Sequence, residues 1–435
     1  MRIRAVLLLV LLLCLGARAA ETPFDPRSED LSIFDVLVRT HCPGLDLPDA
    51  PTILKESGLT LEYVWGKLPY DERPRPTLRG SRLARRSPLD LNLAFVEMSD
   101  VQALLRIAGL DMRRLVADDP EERRAALAAL IDPKMDRINK DQILGYDPRL
   151  CLNDDGSRVY LLDVDDAVLK DLQRAERLYQ RGEHQEYRAR LLALLADHPR
   201  FSALHVGLAN SFFAEGETGQ ARQWLAQGIR SNPLNPMLHY SLAFCHLADG
   251  RRDEAVDALV ESVLTCRTNM LSWCALDVVL GADGRRAVDR RFRNHTSVDP
   301  NSSLVGLDMG LSRDMRDPWL YYAAASVAVD HERSLHLADF DACDMVDRET
   351  YRLLHLLGCY LVLRSQKPDL YDAGLESLEV IRKAGFLREY VIFDRIAPYT
   401  QYARTATLTA EGRSHLREYV LRFGISGGNG GPGIK

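Results

Sequence analysis

Residues 181–252 read RGEHQEYRARLLALLADHPRFSALHVGLANSFFAEGETGQARQWLAQGIRSNPLNPMLHYSLAFCHLADGRR. Gly182, Gly216 and Gly250 recur in this stretch at one fixed spacing, and Gly284 continues the series beyond it. Each glycine sits in a short polar break (RGEH, EGET, DGRR, DGRR) between apolar runs with helical spacing. A fixed period of about 34 residues marks helix–turn–helix units that cannot bury their apolar faces alone and so pack on one another. The product is an extended surface, suited to holding a partner rather than to running a reaction.

The period extends to other residues. Pro199 and Pro233 each follow their glycine at the same distance, where a second helix must stop, because proline lacks the N–H and the φ freedom to continue it. Ala221 and Ala255 lie five residues past their glycines, and Leu191, Leu225 and Leu259 nine past. The small residue lets two helices approach and the leucine fills the space between them. Leu208-Ala209 and Leu242-Ala243 precede their glycines at matching distances, and Trp273 with Leu276 opens a fourth unit.

On these residues the chain resembles the tetratricopeptide repeat (TPR) family over about residues 168–290. It departs from the family pattern at Tyr187, where a small residue is expected, and after Gly284, where RRAVDRRFRNHTSVDP is too charged for a good second helix. The resemblance implies that the first helix of each pair lines a concave groove. Its lining is then Leu172, Glu176 and Tyr179 in the first unit, Val206, Asn210 and Phe213 in the second, and Tyr240, Phe244 and Leu247 in the third. That trough is apolar and aromatic with one amide, fit for a protein or peptide partner whose backbone Asn210 could meet. The basic clamp that some members use for a C-terminal carboxylate is missing, since none of these places holds Lys or Arg. Helices downstream of the repeats are the competing occupants of the trough.

The chain has 435 residues, 46% hydrophobic, with a formal net charge of −6. That balance gives no bulk attraction to nucleic acid. Only 8 of the 56 basic residues are lysine, a bias that points to a GC-rich, bacterial genome. Arg2 and Arg4, the apolar run Ala5–Gly16 and the Ala17-Arg18-Ala19 site read as a secretion signal. Twelve apolar residues span about 18 Å as helix against a hydrocarbon core of roughly 30 Å, too short to cross. The expected location is the periplasm or cell envelope, or outside the cell. Cys42, Cys151, Cys245, Cys266, Cys274, Cys343 and Cys359 follow the signal, with no CxxC among them. Cys42 and Cys151 are the pair expected to form a disulfide in an oxidising compartment, and the helical cysteines read as small buried apolar residues.

The expected fold class is mainly α: a TPR-like helical solenoid preceded by a small α+β N-terminal region. The segments are a signal peptide (1–19), the N-terminal region (20–165), the repeats (166–292), divergent repeat-like helices (293–423) and a disordered glycine-rich tail (424–435). Within the N-terminal region, residues 30–40 read as a helix, 59–66 as a strand, Asp119-Pro120-Glu121-Glu122 as a capped helix start, and 149–163 as two strands around an Asp-Gly turn. Arg73–Arg86 holds six arginines and no acid, a loop able to touch an anionic membrane surface. His331 and His336 are five apart, not the four a zinc protease needs, and Asp339, Asp341 and Asp344 nearby do not complete a set. Asn153-Asp154-Asp155-Gly156 lacks the rest of a calcium loop. No phosphate loop, nucleophile elbow, metal site or cofactor motif emerges. The expected function is that of an exported, non-enzymatic interaction or scaffold protein. The alternatives are a subunit of an envelope-assembly complex and an enzyme with His41 and Cys42 in its N-terminal region.

Overall fold

The computed structural model describes residues 60–64, 98, 101–102, 105, 110–131, 148–156, 159–288, 290, 295–299, 304–308, 315–316, 318–319, 322–323, 345–395 and 408–427. These residues are mainly helical. In chain order they form β1 (Thr60–Val64), a 3-10 turn (Met112–Val116), α1 (Pro120–Ile131), β2 (Leu150–Leu152), β3 (Val159–Leu161), α2 (Asp166–Gln180), α3 (His184–Asp197), α4 (Ser202–Ala214), α5 (Thr218–Ser231), α6 (Pro236–Ala248), α7 (Arg252–Thr265) and α8 (Met270–Gly281). Then come β4 (Arg286–Ala287), β5 (Thr296–Asp299), β6 (Leu304–Asp308), α9 (Met345–Gln366), α10 (Ala373–Lys383), α11 (Leu387–Tyr390), a π-turn (Val391–Arg395), α12 (Ala410–Phe423) and β7 (Ile425–Ser426). Two compact units result, residues 1–85 with 290–391, and residues 86–289 with 392–435.

The second unit carries the glycine period. Gly182, Gly216, Gly250 and Gly284 have φ of 79°, 82°, 73° and 70°, the left-handed region that only glycine enters freely. The residue after each glycine donates its N–H five residues back: Glu183 to Leu178 at 3.0 Å, Glu217 to Phe212 at 2.9 Å, Arg251 to His246 at 2.8 Å and Arg285 to Leu280 at 3.1 Å. Such closure satisfies carbonyls that a helix end leaves bare and reverses the chain in a short turn. Each helix from α2 to α8 packs on the next, and α6 also packs on α4. Leu191, Leu225 and Leu259 are fully buried, as are Ala221 and Ala255. Asp165, Asn235 and Asn269 cap α2, α6 and α8 with their side-chain oxygens.

Tyr187 is buried in the place where the neighbouring units hold Ala221 and Ala255. Gly207 of α4 makes its room. A Cβ on Gly207 would lie 2.5 Å from the Tyr187 hydroxyl and 2.8 Å from Leu191 Cδ1. After Gly284 the chain forms β4 rather than a helix, in keeping with its charge. Helix α12 packs on α7 instead, with Arg413 2.7 Å from Glu261 and Arg417 paired with Asp257. β7 pairs antiparallel with β4. Residues 424–427 are therefore ordered, which corrects the expectation of a disordered tail there: backbone pairing with β4 overrides glycine's local freedom.

The first unit holds a three-stranded sheet ordered β1-β6-β5. β1 runs parallel to β6, Thr60 opposite Leu304 through Val64 opposite Asp308, and β5 runs antiparallel to β6. The expectation of helix over 293–423 is corrected at these two strands, where β6 pairs with β1 and with β5, and the ladder holds the backbone extended. α9 buries Leu353, Leu356, Leu357 and Tyr360, and packs with α10 and α11. Asp372 caps α10 by accepting from Leu375 N–H at 2.9 Å.

Candidate functional site

The trough residues divide into two groups. Leu172 and Tyr179 on α2, and Val206 and Asn210 on α4, are half-buried. Phe213, Tyr240, Phe244 and Leu247 are buried, all at 3% exposure or less. The Tyr240 and Phe244 rings lie 4.4 Å apart, and Tyr179 packs edge-on to His184 at 4.8 Å and Tyr187 at 5.2 Å.

Upstream elements pack against these helices. α1 packs on α4 and α6, and the 3-10 turn packs on α8 and α1. Val206, Tyr240 and Cys274 hold the same place in successive units, one repeat period apart. The Cys274 thiol donates to the Met98 carbonyl at 3.6 Å. Phe213, Tyr240, Phe244 and Leu247 are thus correctly read as apolar but are closed to solvent. Among the described residues, α1 and the 3-10 turn are upstream elements packed against α4, α6 and α8. Val101, Leu105, Leu115 and Leu127 are fully buried. Their irregular spacing gave the sequence no strong periodic signal.

Three further arrangements were not foreseen. The hairpin β2–β3 sits on the loops between helix pairs, where Leu150 packs with Leu234 and Cys266. Asn232, fully buried, donates to the Leu150 carbonyl at 2.8 Å, and Asn235 donates to Ser202 Oγ at 3.0 Å. The two buried amides thus find a strand carbonyl and a buried hydroxyl as acceptors. A second arrangement repeats along the turns. Arg188 pairs with Glu215 at 2.7 Å, Arg222 with Asp249, and Arg252 with Asp283 at 3.0 Å. The three acids recur at the repeat period, each immediately before its glycine, and that regularity was readable in EGET, DGRR and DGRR.

The third is a buried clasp. Arg267 Nε donates to Asp394 Oδ1 at 2.9 Å, and Tyr419 Oη donates to Asp394 Oδ2 at 2.6 Å. The Arg267 guanidinium lies 4.6 Å from the Trp273 ring and 5.3 Å from Phe393, while Trp273 Nε1 donates to the Arg267 carbonyl at 2.9 Å. Aromatic faces and a carboxylate together compensate a buried cation. This ties Phe393, Asp394 and α12 to the loop before α8. In the first unit Tyr322 Oη donates to Glu349 at 2.9 Å, with Arg352 3.5 Å from the same carboxylate. All three are buried and joined to one another, a structural cluster.

Burial pushes the Cys151 thiol up to about 11 and the Cys245 and Cys274 thiols up to about 12, so all three are protonated and unreactive as nucleophiles at neutral pH. Cys151 is a buried free thiol that donates to the Arg200 carbonyl at 3.6 Å. The hairpin turns Cys151 inward against the Arg200 loop, and its expected disulfide partner Cys42 lies outside the described residues. Cys42, His41, the signal segment, Arg73–Arg86, His331, His336, Asp339, Asp341 and Asp344 lie outside the described residues. Among the described residues no group of three or more His, Cys, Asp or Glu could hold a metal, and no helix is long and apolar enough to cross a membrane. Compared with protein-family models, curated proteins and solved structures, the chain matches none.

Proposed function

We propose that this is an exported, non-enzymatic interaction protein of the TPR type, which holds a protein or peptide partner along the first-helix faces of its repeats. One observation carries the reading: four glycines at one fixed period share one left-handed conformation and one pattern of helix closure. Helix pairs built on that period present equivalent side chains in rows, and a row of apolar and aromatic side chains with an amide is chemistry for a peptide. Leu172, Tyr179, Val206 and Asn210 keep part of their surface exposed, and Asn210 makes no side-chain hydrogen bond with the described residues. Partner binding begins there, at the α2–α4 end of the row.

Crosslinked purification of the full chain from its own cells tests this, with a Tyr179→Ala/Asn210→Ala variant as control. The expected result is an envelope protein captured by the wild type and lost from the variant. The same protein retained by the variant moves the site off this face. No specific partner with either bait overturns the reading.

A further inference from the structure

We propose that the outer face of α2 is a docking surface for an acidic helix of a partner protein, continuing the stack of helices at its upstream end. The surface is distinct from the trough, and the inference does not depend on what the trough holds. Lys170, Arg174, Arg177 and Arg181 follow one another four, three and four residues apart and are all exposed. Three of them lie on α2, and Arg181 is its C-cap. That spacing sets four cations in one row about 16 Å long on a single face of the helix.

The later units show what lies against this face. One repeat period on, the same places hold Leu204, Leu208, Ser211 and Glu215. The first three are fully buried, and Leu204 and Leu208 share a core cluster with Leu191 and Leu195 of α3. Leu238 and Ser272 stand at the Lys170 place in the third and fourth units. Leu238 Cδ2 lies 2.6 Å from where a Cβ on Gly228 of α5 would stand, and Ser272 Oγ is 2.7 Å from Ser262 Oγ of α7. At the Arg181 place, Glu215, Asp249 and Asp283 each pair with an arginine of the second helix before them. This is therefore the face on which each later unit receives the preceding helix, α3 on α4, α5 on α6 and α7 on α8. The first unit leaves it exposed.

Its chemistry there is inverted. Apolar and hydroxyl side chains give way to cations, and the acid that meets an arginine gives way to an arginine. An end unit needs a polar outer face to stay in water, but either sign of charge supplies that. Here Gln173, at the place of Gly207, joins four cations and no acid. Arg174 is held by Asp171 at 2.7 Å and Arg181 lies 3.6 Å from Glu183, while Lys170 and Arg177 make no ion pair with the described residues. A helix seated as α3 sits on α4 brings its side chains to this row. Carboxylates spaced four, three and four residues apart match it, and the arginine fork can take them bidentately. An anionic membrane is the poorer fit, because Asp163, Asp165 and Asp166 are exposed at the start of the same helix and a flat anionic surface meets them too.

The full chain is titrated at low salt, by fluorescence anisotropy, with a labelled synthetic helix of about 18 residues that carries glutamates at the matching spacing on one face. Binding is expected, and it weakens as salt is raised. Lys170→Glu/Arg177→Glu is expected to weaken it by roughly ten-fold or more, since it removes two attractions and adds two repulsions. Arg124→Glu/Arg230→Glu makes the same change of net charge at exposed arginines elsewhere on the unit and is expected to leave the affinity within roughly two-fold. Carbodiimide coupling of the complex should join a peptide glutamate to Lys170 and not to Lys367 or Lys383, the other lysines among the described residues. No binding to the wild type, or an equal loss in both variants, overturns the docking face. A peptide with the same glutamates scattered around the helix, if it binds as tightly, overturns the helical occupant. Phosphatidylserine vesicles that bind the wild type but not Lys170→Glu/Arg177→Glu, with the peptide unbound, give the face to lipid and overturn the protein partner. Tyr179→Ala/Asn210→Ala should bind the peptide as the wild type does, so that loss of a cellular partner from that variant bears on the trough alone. If it does not bind, the peptide sits in the trough and the outer face is overturned.

Discussion

Tyr187 and Gly207 show how a single departure from a repeating pattern is absorbed. The phenol occupies a place where the next two units put alanine, and Gly207, on the following helix, yields the space. Gly207→Ala is expected to destabilise the protein by about 1–3 kcal/mol, because its methyl group meets the Tyr187 hydroxyl and Leu191 in a packed core. Tyr187→Ala in the same chain should remove most of that penalty, and a double-mutant cycle from urea denaturation measures the coupling. Purely additive effects would show that the two side chains do not share the space. The glycine turns were legible because φ > 0 is a local demand written in one residue. Gly207 was not, because its meaning depends on a side chain of the preceding helix. His239 gives a pH prediction on the same scale. It is half-buried on α6, and burial pushes it down to about 4, with Glu261 and Arg413 the charges that face it. The unfolded chain therefore binds a proton that the fold does not between pH 6.5 and 4. The neutral imidazole's contribution is present above 6.5 and is lost as pH falls through that window, up to about 3 kcal/mol. His239→Gln should flatten the fall in urea midpoint between those pH values, and an unchanged slope would remove His239 as its source.

At the scale of elements, helix period and polar breaks marked α2 to α8 in the sequence, and the start of α1 was marked by Asp119, whose Oδ1 accepts from Glu121 N–H at 3.0 Å. What covers those helices was not legible. α1 carries too few buried leucines to announce a docking face, and β6 finds one of its partners in Thr60–Val64, far away in the chain. The clasp around Arg267 has the same character: Trp273 was visible as a repeat position, but its link to Asp394 and Tyr419 is purely tertiary. That clasp and the ion pairs along the turns differ in weight. Arg188–Glu215 and its successors keep contact with water and contribute at most about 1 kcal/mol each, less at high salt. Asp394→Ala instead takes a buried carboxylate from a buried guanidinium and a buried phenol, and should cost about 3–5 kcal/mol. Hydrogen exchange should then show α12 losing protection more than α4 or α5. Equal loss in all three would mean that the clasp holds the whole unit rather than its C-terminal helix.

For the whole molecule, each compact unit has a core of its own. The second is built on Leu191, Leu225, Leu259 and Trp273, the first on Leu353, Leu356, Leu357 and Tyr360. Chains with separate cores depart from all-or-none unfolding, so calorimetry of the full chain should resolve more than one transition. Single substitutions assign them. Leu259→Ala removes a fully buried side chain from the second unit and should lower one transition, at a cost of about 2–5 kcal/mol. Glu349→Ala strips the carboxylate from Tyr322 and the buried Arg352 in the first unit and should lower the other by a similar amount. If either variant shifts both transitions together, the units unfold as one body.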